Sequence, residues 1–265
     1  MGKPMTVDLT DKVVIVTGAG GAIGSAMALD FARNGAKVIV SGRTVSTLEA
    51  TVGKIKAAGG EASIIRADVG NKSDAAGLIE QAVKTYGRLD VLVNNAGING
   101  GPEYRKKIHE YSDDLWDRIM NTDLNGVYYC SKPAVNYMIE HGGGSIINVS
   151  SIVGVIPLRL QCAFAAAKAG VVNLSKAMAL ELAENKIRVN VLCPGSVMNE
   201  GVKELFYNDP ARSEAILSHI PMHRPGTPEE MAGLTCFLAS AEASYITGAV
   251  FIADGGWTCG YARDF

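Results

Sequence analysis

Two alternating patterns of hydrophobic positions run along the chain. Short runs of β-branched and other apolar residues, typical of buried strands, occupy residues 12–17, 37–41, 63–66, 89–93, 145–150, 188–192 and 249–253. Between them, apolar side chains recur at helical spacing, as at Ile23, Met27 and Phe31. Strands that are apolar throughout and alternate with helices are typical of a parallel sheet covered on both faces. The pattern predicts a doubly wound α/β fold of about seven parallel strands.

The remaining helical stripes support one continuous unit. They comprise Leu48, Val52 and Ile55; Ile79, Val83 and Tyr86; and Ala163, Ala167, Val171, Leu174, Met178 and Leu182. No repeat or Pro/Ser-rich linker divides the 265 residues, so we predict a single domain over residues 1–265. Two connections, residues 98–114 and 197–228, are unusually long. Because ligands bind beyond the carboxyl ends of such strands, we expect both connections to be substrate loops.

Composition excludes several classes of protein. With 25 basic and 27 acidic residues, the net charge is −2, which does not favour binding to nucleic acid or to an anionic membrane surface. The sequence contains no run of 18 or more apolar residues, and its first residues lack the apolar core of a signal peptide, so we expect neither a membrane span nor a secretory signal. Its five cysteines and four histidines lack the spacing of disulfide frameworks or metal sites. We therefore expect a cytoplasmic protein with a small-molecule partner and no metal.

A glycine-rich turn follows the first predicted strand and opens the first helix. It reads TGAGGAIG, from Thr17 to Gly24, with further glycines at Gly18 and Gly20. Such a turn lets the backbone approach a pyrophosphate, which rests on the helix N-terminus. A tight strand-to-helix turn with nothing bound gives the same sequence signal. The position at the start of an alternating α/β chain favours the nucleotide.

Further motifs follow later strands in a fixed order. NNAG follows the fourth strand, Ser150 and Ser151 follow the fifth, Phe164 and Lys168 lie four residues apart on the next helix, and Pro194 follows the sixth strand. Together with the glycine-rich turn and the closing ADGG, they resemble the short-chain dehydrogenase/reductase family over essentially the whole chain. The resemblance implies a Rossmann-type fold, a nicotinamide dinucleotide cofactor and interconversion of an alcohol and a carbonyl.

The resemblance also implies roles for individual residues. Cofactor contacts are expected at Gly18, Gly20, Ala22, Ile23, Gly24, Asp68, Val69, Asn95, Ala96, Gly97, Lys168, Pro194, Gly195, Val197 and Asn199. Ala22 stands where the family usually has glycine, and Asn199 where it more often has threonine. Ser151 is expected to polarise the substrate oxygen, and Lys168 to hold the nicotinamide ribose.

Two departures from the family pattern concern the catalytic residues. Phe164 occupies the position of the family's catalytic tyrosine, so YxxxK reads FAAAK. The phenol that would protonate the substrate oxygen is therefore missing, while the ring is kept. Asp123 occupies the position of an asparagine that supports a water relay to the lysine, and an ionised carboxylate cannot donate hydrogen bonds.

Phe164 leaves three explanations open. An engineered Tyr→Phe change would trap a complex, a natural enzyme could use another acid or turn over slowly, and a redox-silent relative could serve as a nucleotide-binding module. The sequence therefore favours an oxidoreductase impaired by Phe164, with a silent binding protein of the same fold as the alternative.

The end of the second predicted strand indicates which cofactor is preferred. Family members that prefer NAD place an acidic residue there, whereas this chain has Ser41, Gly42 and Arg43. Arg43 with Ser41 could hold a 2′-phosphate, which predicts NADP(H) in preference to NAD(H). A solvated cation at the start of a helix is the alternative for Arg43.

The substrate is indicated only by positive charges near the expected pocket. Arg105, Lys106, Lys107 and His109 lie in the first long connection, although Lys106 and Lys107 also suit a solvated turn. Arg159 lies between Ser151 and Lys168, and either a substrate contact or a surface position fits it. These charges suit an anionic keto acid or sugar acid.

The resemblance further implies a lid over residues 197–228. It also implies a homotetramer in which the long helix beginning near Phe164 and the preceding helix from Asp113 pair across a two-fold axis. A buried face against the chain's own sheet would explain its apolar side equally well. The tail residues Trp257, Tyr261 and Phe265 could dock on a neighbouring subunit. His223 and Arg224 are expected to brace the next helix.

Overall fold

A single parallel sheet crosses the protein. The computed structural model describes residues 6–98 and 104–260. Its strands are β1 (Val13–Thr17), β2 (Lys37–Gly42), β3 (Glu61–Arg66), β4 (Val91–Asn94), β5 (Gly144–Val149), β6 (Ile187–Pro194) and β7 (Val250–Ala253). In the described part of the chain their order across the sheet is β3-β2-β1-β4-β5-β6-β7, and every neighbouring pair is parallel. The predicted doubly wound α/β fold is confirmed.

Helices cover both faces of the sheet. They are α1 (Ala22–Arg33), α2 (Val45–Ala57), α3 (Lys72–Tyr86), α4 (Asp113–Met120), α5 (Gly126–Glu140), α6 (Cys162–Leu182), α7 (Glu200–Val202), α8 (Pro210–Leu217) and α9 (Pro228–Ala239). Helices α1, α2 and α9 pack on one face, and α3, α5 and α6 on the other. Along β1, Val14 and Val16 face the first layer and Ile15 the second. Because both faces are buried, the strand sequences are continuously apolar.

The strand ends differ slightly from the predicted limits. β4 begins at Val91 rather than Leu89. Just before it, the Asp90 carboxylate accepts the Val13 N–H at 2.9 Å and binds the Arg88 guanidinium at 2.6–2.8 Å. The Asp90 N–H donates to the Val13 carbonyl at 3.0 Å, so this residue joins β4 to the start of β1. β6 extends to Pro194, beyond the predicted Leu192, and the chain stays in register with β7 there.

The long connection over residues 197–228 folds back on itself at the carboxyl end of the sheet. It contains α7, a π-helical turn at Lys203–Tyr207, and α8. Val197 and Gly226 form a bridge, with the Met198 N–H donating to the Gly226 carbonyl at 2.9 Å. Arg224 pairs with Glu230 of the α9 capping box at 2.7 Å, the bracing role expected for Arg224. The ends of the segment are thus fixed above the strand ends.

Candidate active site

The glycine-rich turn between β1 and α1 is tightly built. Gly18 has φ +64°, and a Cβ there would lie 2.8 Å from Ala96 Cα. A Cβ at Gly24 would lie 2.5 Å from the Gly18 carbonyl oxygen. No side chain caps the N-terminus of α1 at Gly21. The first turn of α1 is therefore available for an anion, as the sequence predicts for a pyrophosphate.

The NNAG turn after β4 is fastened to this glycine-rich turn. The Thr17 hydroxyl donates to the Val93 carbonyl at 3.2 Å and accepts the N–H groups of Asn95 and Ala96 at 3.0 and 3.1 Å. The Asn95 amide donates to the Thr17 carbonyl at 2.9 Å. The two turns therefore form one rigid edge, along which a dinucleotide would lie.

A small pocket lies beside this edge at the ends of β2 and β3. Its lining includes Gly18, Arg43, Asp68, Val69, Ala96 and Gly97. The Asp68 carboxylate accepts the Gly70 N–H at 3.0 Å, which fixes the turn after β3. Arg43 is exposed at the pocket rim, whereas Ser41 is fully buried and its hydroxyl has no hydrogen-bond partner. Of these two predicted phosphate ligands, only Arg43 reaches the surface.

The larger cavity, of about 590 Å³, lies where β4, β5 and β6 end. It brings together the predicted residues Ile23, Asn95, Gly97, Asp123, Ser151, Arg159, Phe164, Lys168, Pro194, Gly195, Val197 and Asn199. The predicted residues Gly20, Ala22, Gly24 and Ser41 line neither pocket. Gly20 and Gly24 instead allow close packing within the turn, against Thr47 and the Gly18 carbonyl respectively.

Lys168 lies in the wall of the cavity and is almost completely buried. Its Nζ lies 3.2 Å from the Asp123 Oδ1 and donates to the Val149 carbonyl at 3.2 Å. The Phe164 ring centre lies 5.6 Å from the same nitrogen. Phe164, one helical turn earlier on α6, is 7% exposed. The lysine is thus held by a carboxylate and a carbonyl, beside a ring that carries no hydroxyl.

Asp123 lies in a π-helical turn, Asn121–Asn125, between α4 and α5. Its second oxygen accepts the Ile98 N–H at 2.9 Å. Burial raises the pKa of Asp123, and the charge of Lys168 and the Ile98 N–H partly oppose this. An aspartate at this position casts doubt on a water relay, but no sequence pattern indicates the direct ion pair between Asp123 and Lys168.

Ser151 follows β5 and opens a short helical turn. Its hydroxyl oxygen accepts the Val153 N–H at 3.2 Å, which leaves its proton free to point elsewhere. The preceding Ser150 donates to the Lys168 carbonyl at 2.8 Å and so ties this turn to α6. Pro194 and Gly195 close the opposite wall, and Asn199 accepts the Val202 N–H at 2.9 Å at the start of α7.

Three cavity residues have side chains whose position the sequence did not indicate. Arg105 lies over the Phe206 ring, at 4.9 Å from its centre, and Trp257 faces the cavity. Trp257 is thus part of its own chain's site, whereas Tyr261 and Phe265 lie outside the described residues. Arg105 and Phe206 lie about a hundred residues apart in the sequence and meet only through long-range packing. No local sequence motif predicts this contact.

Among residues 6–98 and 104–260, no three His, Cys, Asp or Glu residues are grouped as metal ligands. The helices in these ranges lack the combination of length and hydrophobicity that a membrane span requires.

Comparison with known proteins identifies the class to which this arrangement belongs. A family model described as enoyl-(acyl carrier protein) reductase matches residues 18–258. The 3-oxoacyl-[acyl-carrier-protein] reductase FabG of Thermotoga maritima is 40% identical over 248 residues, covering 94% of this chain and 98% of that relative. An uncharacterised oxidoreductase from the same organism is 40% identical over 250 residues, covering 93% of this chain and 97% of the relative.

Solved structures agree with these relatives. A Beutenbergia cavernae protein, assigned as an NAD(P)-dependent gluconate 5-dehydrogenase and solved with NADP at low occupancy, is 37% identical with a TM-score of 0.89. The match covers 96% of this chain and 99% of that one. The chain belongs to the short-chain dehydrogenase/reductase family, whose members among these relatives are oxidoreductases.

Proposed function

We propose that this chain is an NADP(H)-dependent oxidoreductase that interconverts a secondary alcohol and a carbonyl on a small polar substrate, and that Phe164 impairs it. The observation that carries the proposal is the meeting of Ser151, Phe164 and Lys168 in one cavity, at the end of an edge built for a dinucleotide. The substrate class that suits Arg105 and Arg159 in the cavity wall is an anionic keto acid or sugar acid.

The residues present fit the cofactor. The uncapped first turn of α1 would bind the diphosphate, and Asp68 and Val69 would line the adenine site. Arg43 would bind the 2′-phosphate from the pocket rim, because no carboxylate lies between residues 37 and 48 to take the ribose hydroxyls instead. The B. cavernae structure, solved with NADP at low occupancy, supports a fold of this kind accepting the phosphorylated cofactor.

The chemistry divides between the cofactor and the chain. A bound nicotinamide supplies or accepts the hydride. Ser151 would donate its free hydroxyl proton in a hydrogen bond to the substrate oxygen, and Lys168 would hold the nicotinamide ribose. Phe164 would shape the pocket but cannot exchange a proton. The missing general acid costs roughly 10²–10⁴ in rate.

The alternative function is nucleotide binding without turnover. Two features favour it: the absent phenol at Phe164, and the ion pair through which Asp123 already neutralises Lys168. Both functions require the same dinucleotide, so binding alone does not separate them.

We further propose a homotetramer in the cytoplasm. Trp116 on α4, Tyr128 on α5 and Leu180 on α6 are large apolar side chains exposed to 36%, 46% and 84%, which supports association through these helices. All five cysteines are unpaired thiols, which supports a reducing compartment.

Restoring the phenol tests the proposal. The variant Phe164→Tyr should turn over NADPH with ketones, or NADP⁺ with secondary alcohols, roughly 10²–10⁴ times faster than the parent chain. Phe164→Leu, which replaces the same side chain without adding a hydroxyl, should turn over as slowly as the parent chain. A Tyr variant that binds NADPH but stays inactive across a broad panel of ketones and alcohols would support the silent alternative.

A further inference from the structure

Arg105 brings an unneutralised charge into the wall of the main cavity. Its Nε is buried without a hydrogen-bond partner, and its guanidinium carbon lies 4.9 Å from the Phe206 ring centre. Burial lowers the pKa of Arg105. Within the part of the chain that the structure describes, no carboxylate lies within ion-pair distance of it. A buried donor of this kind costs free energy unless another group supplies a hydrogen-bond acceptor for it.

The charges around the cavity do not balance. Among the lining residues that the structure describes, the cations are Arg105, Arg159 and Lys168, and the one carboxylate is Asp123. Asp123 is already paired with Lys168 at 3.2 Å. Two guanidinium groups therefore remain for an anion that enters the cavity.

The backbone holds the two arginine-bearing segments together. The Lys106 N–H donates to the Leu160 carbonyl at 3.2 Å, and Lys106 forms a bridge with Gln161. Leu160 has φ +67°, a left-handed conformation that is rare for a bulky residue and is found at functional sites. The Tyr111 hydroxyl donates to the Tyr104 carbonyl at 2.7 Å, beside Arg105. Arg105 is thus positioned by a constrained scaffold rather than by a free surface loop.

We propose that Arg105 binds a carboxylate of the substrate and selects for hydroxy or oxo carboxylic acids with an apolar body. The planar guanidinium matches a carboxylate, and Phe206 keeps its face in place. Much of the remaining lining is apolar, including Ile98, Val153, Leu158, Ile216 and Trp257. Such a surface suits the hydrocarbon chain of an oxo or hydroxy acid better than the hydroxyl groups of a sugar acid. This assignment rests on the proposed oxidoreductase function and narrows its substrate class.

Binding to the parent chain tests the assignment, because slow turnover leaves time to measure it. The chain is saturated with NADPH and titrated calorimetrically with oxohexanoates that carry the ketone at the second, third or fifth carbon, each compared with its methyl ester. At least one acid should bind roughly tenfold or more tightly than its ester. Equal affinities for every acid and its ester, or binding of no acid, would overturn the assignment.

Variants then locate the carboxylate. Arg105→Gln should weaken that acid roughly tenfold or more and leave its ester and NADPH unchanged, and Arg105→Lys should fall between the two. Lys106→Gln is the matched control, because it removes the same charge from an exposed neighbour. Retained acid binding in Arg105→Gln, or an equal loss in Lys106→Gln, would overturn the role of Arg105.

The failure of this assignment differs from the failure of the proposed function. If NADPH does not bind, the proposed function fails. If NADPH binds and Phe164→Tyr reduces neutral ketones as efficiently as oxo acids, the oxidoreductase function stands and only the carboxylate assignment fails.

Discussion

Lys168 Nζ lies 3.2 Å from Asp123 Oδ1, and the exposed fractions of the two side chains are 6% and 0%. A buried ammonium group needs a counter-charge, and here Asp123 supplies it from the π-helical turn between α4 and α5. The pair exists without a phenol beside it. The charge that would lower the pKa of a tyrosine at position 164 is therefore already partly neutralised.

A pH profile should reveal this neutralisation. In the Phe164→Tyr background, adding Asp123→Asn removes the carboxylate and strengthens the positive potential at the new phenol. The pH at which alcohol oxidation becomes fast should fall by about one unit, because the phenolate form is favoured. The measurement is kcat/KM against pH. Asp117→Asn, an exposed position on α4, should leave the profile unchanged. If alcohol oxidation by the double variant with Asp123→Asn became fast at the same pH or at a higher pH, the account would be contradicted.

Asp123 should also make stability depend on pH. Burial raises its pKa above 3.8, so between that value and the folded pKa the native chain binds more protons than the unfolded chain. The free energy of unfolding should therefore fall as pH rises through this window, by about 1.4 kcal/mol per unit of pKa shift. Asp123→Asn lacks this component. Urea unfolding of both chains at several pH values measures this component. The free energy of unfolding of the parent chain minus that of Asp123→Asn should fall as pH rises, and a value that stays constant or rises with pH would refute the prediction.

Arg43 should determine the cofactor preference. Arg43→Ala removes a charge-assisted contact worth about 1.5–3 kcal/mol, so NADPH should bind roughly tenfold to a hundredfold more weakly, while NADH is unaffected. Lys54→Ala, an exposed position on α2, is the control. Parallel titrations with both cofactors provide the test. An equal loss for NADH would assign Arg43 to the shared part of the dinucleotide.

The close packing of the glycine-rich turn should be needed for binding. A Cβ at Gly24 would lie 2.5 Å from the Gly18 carbonyl oxygen and 2.6 Å from the Asn95 amide nitrogen. Gly24→Ala should therefore cost about 1–3 kcal/mol of stability and weaken cofactor binding. At Gly21 the nearest atom to a new Cβ is 3.5 Å away, so Gly21→Ala is the matched control for stability. Thermal unfolding of the two variants should differ clearly, and equal stability would contradict the packing argument. Cofactor titration of Gly24→Ala against the parent chain measures the loss of binding.

Much of the fold follows from local sequence. The strands are apolar on both faces because helices cover both. The order of motifs after successive strands predicts that Ser151 and Lys168 lie at one edge of the sheet, and both line the cavity there. The strand limits follow less closely, since Asp90 is predicted within β4 but lies just before it, with its carboxylate accepting the Val13 N–H.

What the sequence could not predict depends on contacts between distant segments. The burial of Ser41 depends on the register of β2 between β1 and β3. The Asp123–Lys168 pair depends on a π-helical turn that no pattern in the sequence predicts. The stacking of Arg105 on Phe206 joins the first long connection to the π-helical turn Lys203–Tyr207, about a hundred residues away in the sequence.

Calorimetric titration of the unmodified chain with NADPH and with NADH tests the central claim most directly. That claim is a phosphate-bearing nicotinamide dinucleotide lying from the α1 N-terminus to the corner formed by Ser151 and Lys168. The account predicts one saturable binding event per chain, tighter for NADPH than for NADH and weakened by Gly24→Ala. Absence of binding heat with either nucleotide at saturating concentration would contradict it.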